Sequence, residues 1–194
     1  MRIGVLGGSF NPPHIGHLVV ASDAFEALEL DRLLIVPASA NPLKGIGASG
    51  ATAEERLEMV RLTFGGDPRF EVSSMELERG GLSYTVDTLE ALTALHPGVE
   101  LTLLLGMDSL RTMDRWKRPD RIRELARLAV LSRSGNDDHA VPPGVTVVTA
   151  RRVDVSASEI RSRVAAGKSV RGFVVESVER FISAAELYRA PAAG

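Results

Sequence analysis

Short, mostly apolar runs alternate with stretches of helical spacing along almost the whole chain. Ile3–Leu6, Leu33–Val36, Phe70–Val72, Leu101–Leu105, Leu128–Leu131 and Val145–Val148 read as strands buried on both faces. Between them, Gly16 onward (Leu18, Val19, Ala21, Ala24, Phe25, Leu28), Ala53–Thr63, Thr85–Leu95 and Ala157–Ala166 carry apolar residues three and four apart, the spacing of one helix face. Such alternation predicts an α/β fold, a doubly wound, mostly parallel sheet with helices on both faces. In a sheet of that kind the ligand lies outside the carboxyl ends of the strands, where the strand order reverses. One domain over residues 1–189 is expected, with the small-residue tail 190–194 frayed. The loops Ala38–Ala51 and Gly135–Gly144, also rich in small residues, are expected to move and to act as lids.

The first strand runs into Gly7-Gly8-Ser9-Phe10-Asn11-Pro12-Pro13-His14-Ile15-Gly16-His17, and a helical pattern begins at its end. Glycines let a backbone approach a ligand closely, and the N–H groups that open a helix favour an anion. His14 and His17, three apart, fall on one face at that helix start, where both imidazoles can meet the anion. As structure alone, the segment is a tight turn with two surface histidines. No Walker A loop and no dinucleotide-binding glycine fingerprint occurs in the chain.

Composition narrows the chemistry further. The chain has 194 residues, no cysteine and a formal charge of −2, so disulfides and thiolate metal sites are excluded and a broad nucleic-acid-binding surface is not expected. Four histidines, His14, His17, His96 and His139, are too scattered for an all-protein zinc cage. No run approaches the ~18 apolar residues of a membrane span, and the N-terminus opens on a strand without a basic leader; no membrane role is expected, and a cytoplasmic location is. Phosphate affinity must therefore come from a few placed cations.

Four further motifs each follow a predicted strand or apolar run. After Leu33–Val36 comes Pro37-Ala38-Ser39-Ala40-Asn41-Pro42-Leu43-Lys44, a stiffened loop ending in a cation. Ser83-Tyr84-Thr85-Val86-Asp87-Thr88 opens a helix, and either Ser83 or Thr85 suits its N-cap. Gly106-Met107-Asp108-Ser109 follows Leu101–Leu105, with the chain's one tryptophan, Trp116, downstream. Asp108 can cap the helix after it, and Trp116 can be core. Finally, Asp154-Val155-Ser156-Ala157-Ser158-Glu159-Ile160-Arg161 contains Ser156 and Glu159 at capping-box spacing.

These residues together resemble a known group. The glycine-rich turn ending in His14-Ile15-Gly16-His17 is similar to the signature of the nucleotidyltransferase superfamily with an H-x-G-H motif, which transfers an adenylyl group from ATP without a covalent enzyme intermediate. The string S-Y-T-x-x-T at Ser83–Thr88 and the spacing from Asp108 to Trp116 resemble the nicotinate mononucleotide adenylyltransferases. The closing motif resembles the superfamily's I-S-S-T-x-I-R, with Ala157 where a second serine stands, and Leu43 replaces the histidine that precedes the loop lysine. The resemblance implies ATP and nicotinate mononucleotide as substrates, deamido-NAD and pyrophosphate as products, and a place in NAD biosynthesis. It implies His14, His17, Lys44 and Arg161 as catalytic residues. ATP contacts are implied at Gly7, Gly8, Ser9, Phe10, His14, His17, Gly106, Asp108, Ser156, Ser158 and Arg161. The pyridine nucleotide is implied to meet Ser9, Lys44, Tyr84, Thr85 and Trp116. Mg²⁺ is expected to travel with ATP, with few or no protein ligands. Phosphopantetheine adenylyltransferases share the opening and closing motifs but lack S-Y-T-x-x-T and the tryptophan; a class I aminoacyl-tRNA synthetase would need K-M-S-K-S, which is absent. A nucleotide-sensing module without turnover is the alternative outside the enzymes.

Overall fold

Six parallel strands, β1 (Arg2–Gly8), β2 (Arg32–Pro37), β3 (Phe70–Val72), β4 (Glu100–Gly106), β5 (Ala126–Ser132) and β6 (Val145–Thr149), stand in the order β3-β2-β1-β4-β5-β6. This is a computed structural model, and it describes residues 1–40, 50–132 and 141–190. Lys44, Leu43 and His139, much of both predicted lid loops, and the tail from 191 lie outside the described residues. All six predicted strands are present, and every strand pair is parallel. From β1 the chain steps outward to β2 and β3, then returns to lay β4 on the other side of β1. The order therefore reverses between β1 and β4, and the crevice lies beyond Gly8 and Gly106.

Helices α1 (Ile15–Ala27), α2 (Ala53–Phe64), α4 (Thr85–Leu95) and α7 (Ala157–Ala165) match the four predicted ones to within a residue or two. Four others, α3 (Met75–Arg79), α5 (Met107–Thr112), α6 (Pro119–Leu125) and α8 (Glu176–Ala184), are additions. Alternation along the strands assigns the two faces. Leu103 and Leu105 pack with Val86, Leu89 and Leu92 of α4 and Ile122 of α6, whereas Leu104 packs with Ala21 and Ala24 of α1 and Val60 and Phe64 of α2. A third cluster joins Met59 of α2 to Ile160 of α7, Val178 and Ile182 of α8, and Leu187 and Tyr188. It lies on α2 instead of the sheet, and it brings the C-terminal segment to the mouth of the crevice. Thr52 starts α2 with a complete capping box: its Oγ1 accepts the Glu55 N–H at 3.1 Å and its own N–H donates to the Glu55 carboxylate at 2.7 Å.

Candidate active site

The turn after β1 is held in shape by Phe10. Its φ of 45° is left-handed, costly for a bulky residue, and its buried ring anchors it edge-to-face on Phe64 of α2 at 6.3 Å and on His17 at 5.1 Å. His14 is the N-cap of α1 with extended backbone, and its N–H donates to His17 Nδ1 at 3.2 Å. An imidazole that accepts at Nδ1 carries its proton on Nε2 when neutral, so the His17 tautomer is fixed with a donor on the far side of the ring. The two rings lie 3.8 Å apart between centroids. A Cβ on Gly16 would stand 3.0 Å from two atoms of the His14 ring, so the glycine between the histidines makes room for His14.

The helix start is less open to an anion than the sequence pattern predicts. The Ile15 N–H donates to the Phe173 carbonyl and the His17 N–H to the His14 carbonyl, both at 2.9 Å. An anion placed there would rest its charge more on side chains than on backbone N–H groups.

One such side chain comes from the far end of the chain. Ser156 is the N-cap of α7, its Oγ accepting the Glu159 N–H at 3.1 Å, and Ser158 follows it at the exposed helix start. Arg161, one turn in, donates from Nη1 to the Asn11 carbonyl at 2.7 Å and from Nη2 to Ser158 Oγ at 3.3 Å. The opening and closing motifs thus meet across 150 residues. Tyr188 grips the same asparagine by its side chain, its hydroxyl donating to Asn11 Oδ1 at 2.7 Å. Burial raises the Tyr188 phenol well above the usual tyrosine range, so it remains a donor.

A second constellation surrounds the start of α4. Tyr84 is the N-cap there, correcting the expectation of Ser83 or Thr85. The Ser83 hydroxyl is used elsewhere: it accepts the Ser39 N–H at 2.9 Å, and the Ser83 N–H donates to Ala40 O at 2.9 Å, tying the helix start to the loop after β2. Thr85 is half-buried in the first turn, and Thr88, the last member of the motif, is buried and donates to Glu76 Oε1 at 2.6 Å. Thr88 therefore clasps α3 to α4 and does not face the crevice. Tyr84 and Trp116 both border the cluster beneath α4 and α6. Lys117 Nζ sits 4.6 Å over the Tyr84 ring and bonds Asp87 at 2.9 Å. The Trp116 indole N–H is buried with no acceptor among the described residues. Gly106 is the N-cap of α5, so Asp108 is not a cap; its side chain is fully exposed just past the β4 end.

Among the described residues, no group of three His, Asp or Glu side chains is arranged to hold a metal ion. Sequence reasoning misses Asn11, Tyr188 and above all Arg56. The last is a buried arginine of α2 that bonds Ser9 O at 2.9 Å, Ala38 O at 2.6 Å and Ser39 O at 2.8 Å. Its signal was a charge on a face otherwise made of Met59, Val60 and Phe64, three, four and eight residues on from position 56 along one stripe.

The chain as a whole is similar to known proteins. The cytidylyltransferase-like family model matches residues 5–163. A relative from Gemmatimonas aurantiaca, named "Probable nicotinate-nucleotide adenylyltransferase", is 48% identical over 97% of this chain and 93% of its own. One of the same name from Thermus thermophilus is 44% identical over 97% of this chain and all of its own. Among solved structures, the Plasmodium falciparum nicotinic acid mononucleotide adenylyltransferase complexed with NaAD superposes with a TM-score of 0.80 over 96% of this chain and 97% of that one, at 17% identity. No helix among the described residues is long and apolar enough to cross a membrane.

Proposed function

Because this chain belongs to the cytidylyltransferase-like family and, within it, to the nicotinate-nucleotide adenylyltransferases, we propose that it transfers the adenylyl group of ATP to nicotinate mononucleotide, a step of NAD biosynthesis. A 5′-phosphate oxygen of the mononucleotide attacks the α-phosphorus of ATP in line. The bond from that phosphorus to the α,β-bridging oxygen breaks, and pyrophosphate leaves with its electron pair. The attacking phosphate is already ionised, so neither an enzyme nucleophile nor a general base is needed; positioning and charge stabilisation supply the acceleration.

The observation that carries this reading is the Arg161 bond to the Asn11 carbonyl, which brings a permanent cation to the turn bearing His14 and His17. His17, with its proton on Nε2, donates to a phosphate oxygen as charge builds there, and His14 stacks against it. Lys44 adds a cation from the loop after β2. Gly7, Gly8, Ser9 and Phe10 admit the phosphates closely, and Gly106, Asp108, Ser156 and Ser158 receive the ribose and triphosphate. Tyr84, Thr85 and Trp116 hold the pyridine ring, a ligand acceptor answering the buried indole N–H. Mg²⁺ enters as part of the Mg–ATP substrate, held by the triphosphate and water.

Mixing the protein with ATP, Mg²⁺ and nicotinate mononucleotide should release pyrophosphate and deamido-NAD in equal amounts. An α-thio ATP of defined configuration should give inverted product. No pyrophosphate with this nucleotide, but release with phosphopantetheine, would overturn the substrate; retention at phosphorus would overturn the single displacement.

A further inference from the structure

Arg56 is an unusual residue to bury. It is 8% exposed, burial pulls its guanidinium below the usual arginine range, and no carboxylate forms an ion pair with it among the described residues. Its charge is answered by three backbone carbonyls, Ser9, Ala38 and Ser39, which belong to two different loops. Ser9 lies in the turn that carries the phosphate-facing histidines; Ala38 and Ser39 lie in the segment after β2.

The orientation of those carbonyls has a consequence on the other side of each peptide. A trans peptide is planar, with its N–H opposite its C=O. Drawing the Ala38 carbonyl toward Arg56 therefore turns the Ser39 N–H away from it, where it meets Ser83 Oγ at 2.9 Å. The Ser83 N–H closes the clasp on Ala40 O at 2.9 Å. Ser83 directly precedes Tyr84 and Thr85. A continuous path thus runs from the phosphate turn through Arg56, Ala38 and Ser39 to the start of α4, every link of it 2.9 Å or shorter.

We propose that Arg56 is a positioning residue that couples the two substrate subsites: its three carbonyl bonds hold the phosphate turn and the α4 start in one arrangement, so that ATP and the pyridine nucleotide each strengthen binding of the other. This rests on the reading that the two nucleotides occupy those two subsites. Order imposed by the first ligand on the shared loop need not be imposed again by the second, and such coupling is reciprocal. Lysine cannot replace the arginine, because one ammonium does not span carbonyls on two loops as the forked guanidinium does.

The test is the dissociation constant of nicotinate mononucleotide, measured by calorimetry with and without a saturating methylene-bridged ATP analogue, on wild type, Arg56→Lys, Ser83→Ala and the double variant. Wild type should bind about fivefold or more tightly with the analogue present, the lower end of typical coupling. In either single variant the ratio should fall below about twofold, and the double variant should lose no more than the larger single loss, since both cut one path. Ser83→Ala carries the test alone if Arg56→Lys does not fold. A wild-type ratio of one, or variants whose melting temperature drops while the ratio holds, would make Arg56 a scaffold residue and overturn the coupling. If wild type releases no pyrophosphate from these two substrates, the functional reading fails instead, and turnover distinguishes the two failures.

Discussion

At the scale of single residues, the proposed chemistry rests on where two imidazoles stand, and Gly16 makes room for one of them. Gly16→Ala places a methyl 3.0 Å from the His14 ring while improving helix propensity by up to ~1 kcal/mol. Its melting temperature should hold or rise as kcat/KM falls roughly 10-fold, a loss set by displacement of a positioned group. Thermal melts beside steady-state rates decide it; unchanged turnover would mean that His14 moves at no cost. His17→Ala should cut turnover by about 10²–10³-fold, the range for removing one transition-state donor, with little effect on folding. A variant that keeps half of wild-type turnover removes His17 from the mechanism. Both histidines, Arg161 and the serines beside it were legible in the sequence because each sits in a short motif next to an element boundary. Asn11 and Tyr188 were not: their roles come from a contact spanning 177 residues, which no local pattern records.

At the scale of elements, the start of α4 divides one motif into two jobs. Thr85 lies in the first turn, where N–H groups carry roughly half a positive charge that suits a carboxylate over an amide. Thr85→Val should therefore narrow the preference for nicotinate over nicotinamide mononucleotide, read as the ratio of the two kcat/KM values. Thr88, by contrast, is buried against Glu76 and near Arg79. Thr88→Val should leave that ratio within about twofold and cost about 1–3 kcal/mol in urea unfolding, the penalty of stranding a buried acceptor. Reversed outcomes would exchange the roles of the two threonines. The strands and four of the five longer helices, α1, α2, α4 and α7, were readable from periodicity because each fills enough of a window to show its period. α3, α5 and α6, with 5, 6 and 7 residues, do not. α8, nine residues like α7, was missed all the same. The cap at Tyr84 was misjudged for another reason: Ser83 has cap chemistry, but a tertiary partner, the Ser39 N–H, claims its hydroxyl.

At the scale of the whole molecule, a parallel sheet needs long crossovers, and here the last of the chain returns over α2 to close the mouth that β1 and β4 open. Tyr188 is the point of closure. Its ring packs so tightly on Gly50 that a Cβ there would stand 2.6 Å away, and its hydroxyl reaches Asn11, whose carbonyl Arg161 holds. Burial fixes the sign of the alkali dependence expected of this closure. The folded phenol titrates above its unfolded value of about 10, so below that pH both states keep the proton and nothing is lost. Above it the unfolded chain ionises while the folded one does not, and stability falls as pH rises. Half a unit past the unfolded value, the loss from this group is roughly 1 kcal/mol. Tyr188→Phe removes it. Urea unfolding at pH 8 and pH 10.5 should show wild type losing more stability between the two conditions than Tyr188→Phe, although the variant starts lower at pH 8 by about 1 kcal/mol for the lost hydrogen bond. Equal losses would place the alkaline sensitivity elsewhere, and an unchanged stability at pH 8 would mean that the C-terminal segment is held by its apolar cluster without help from Asn11.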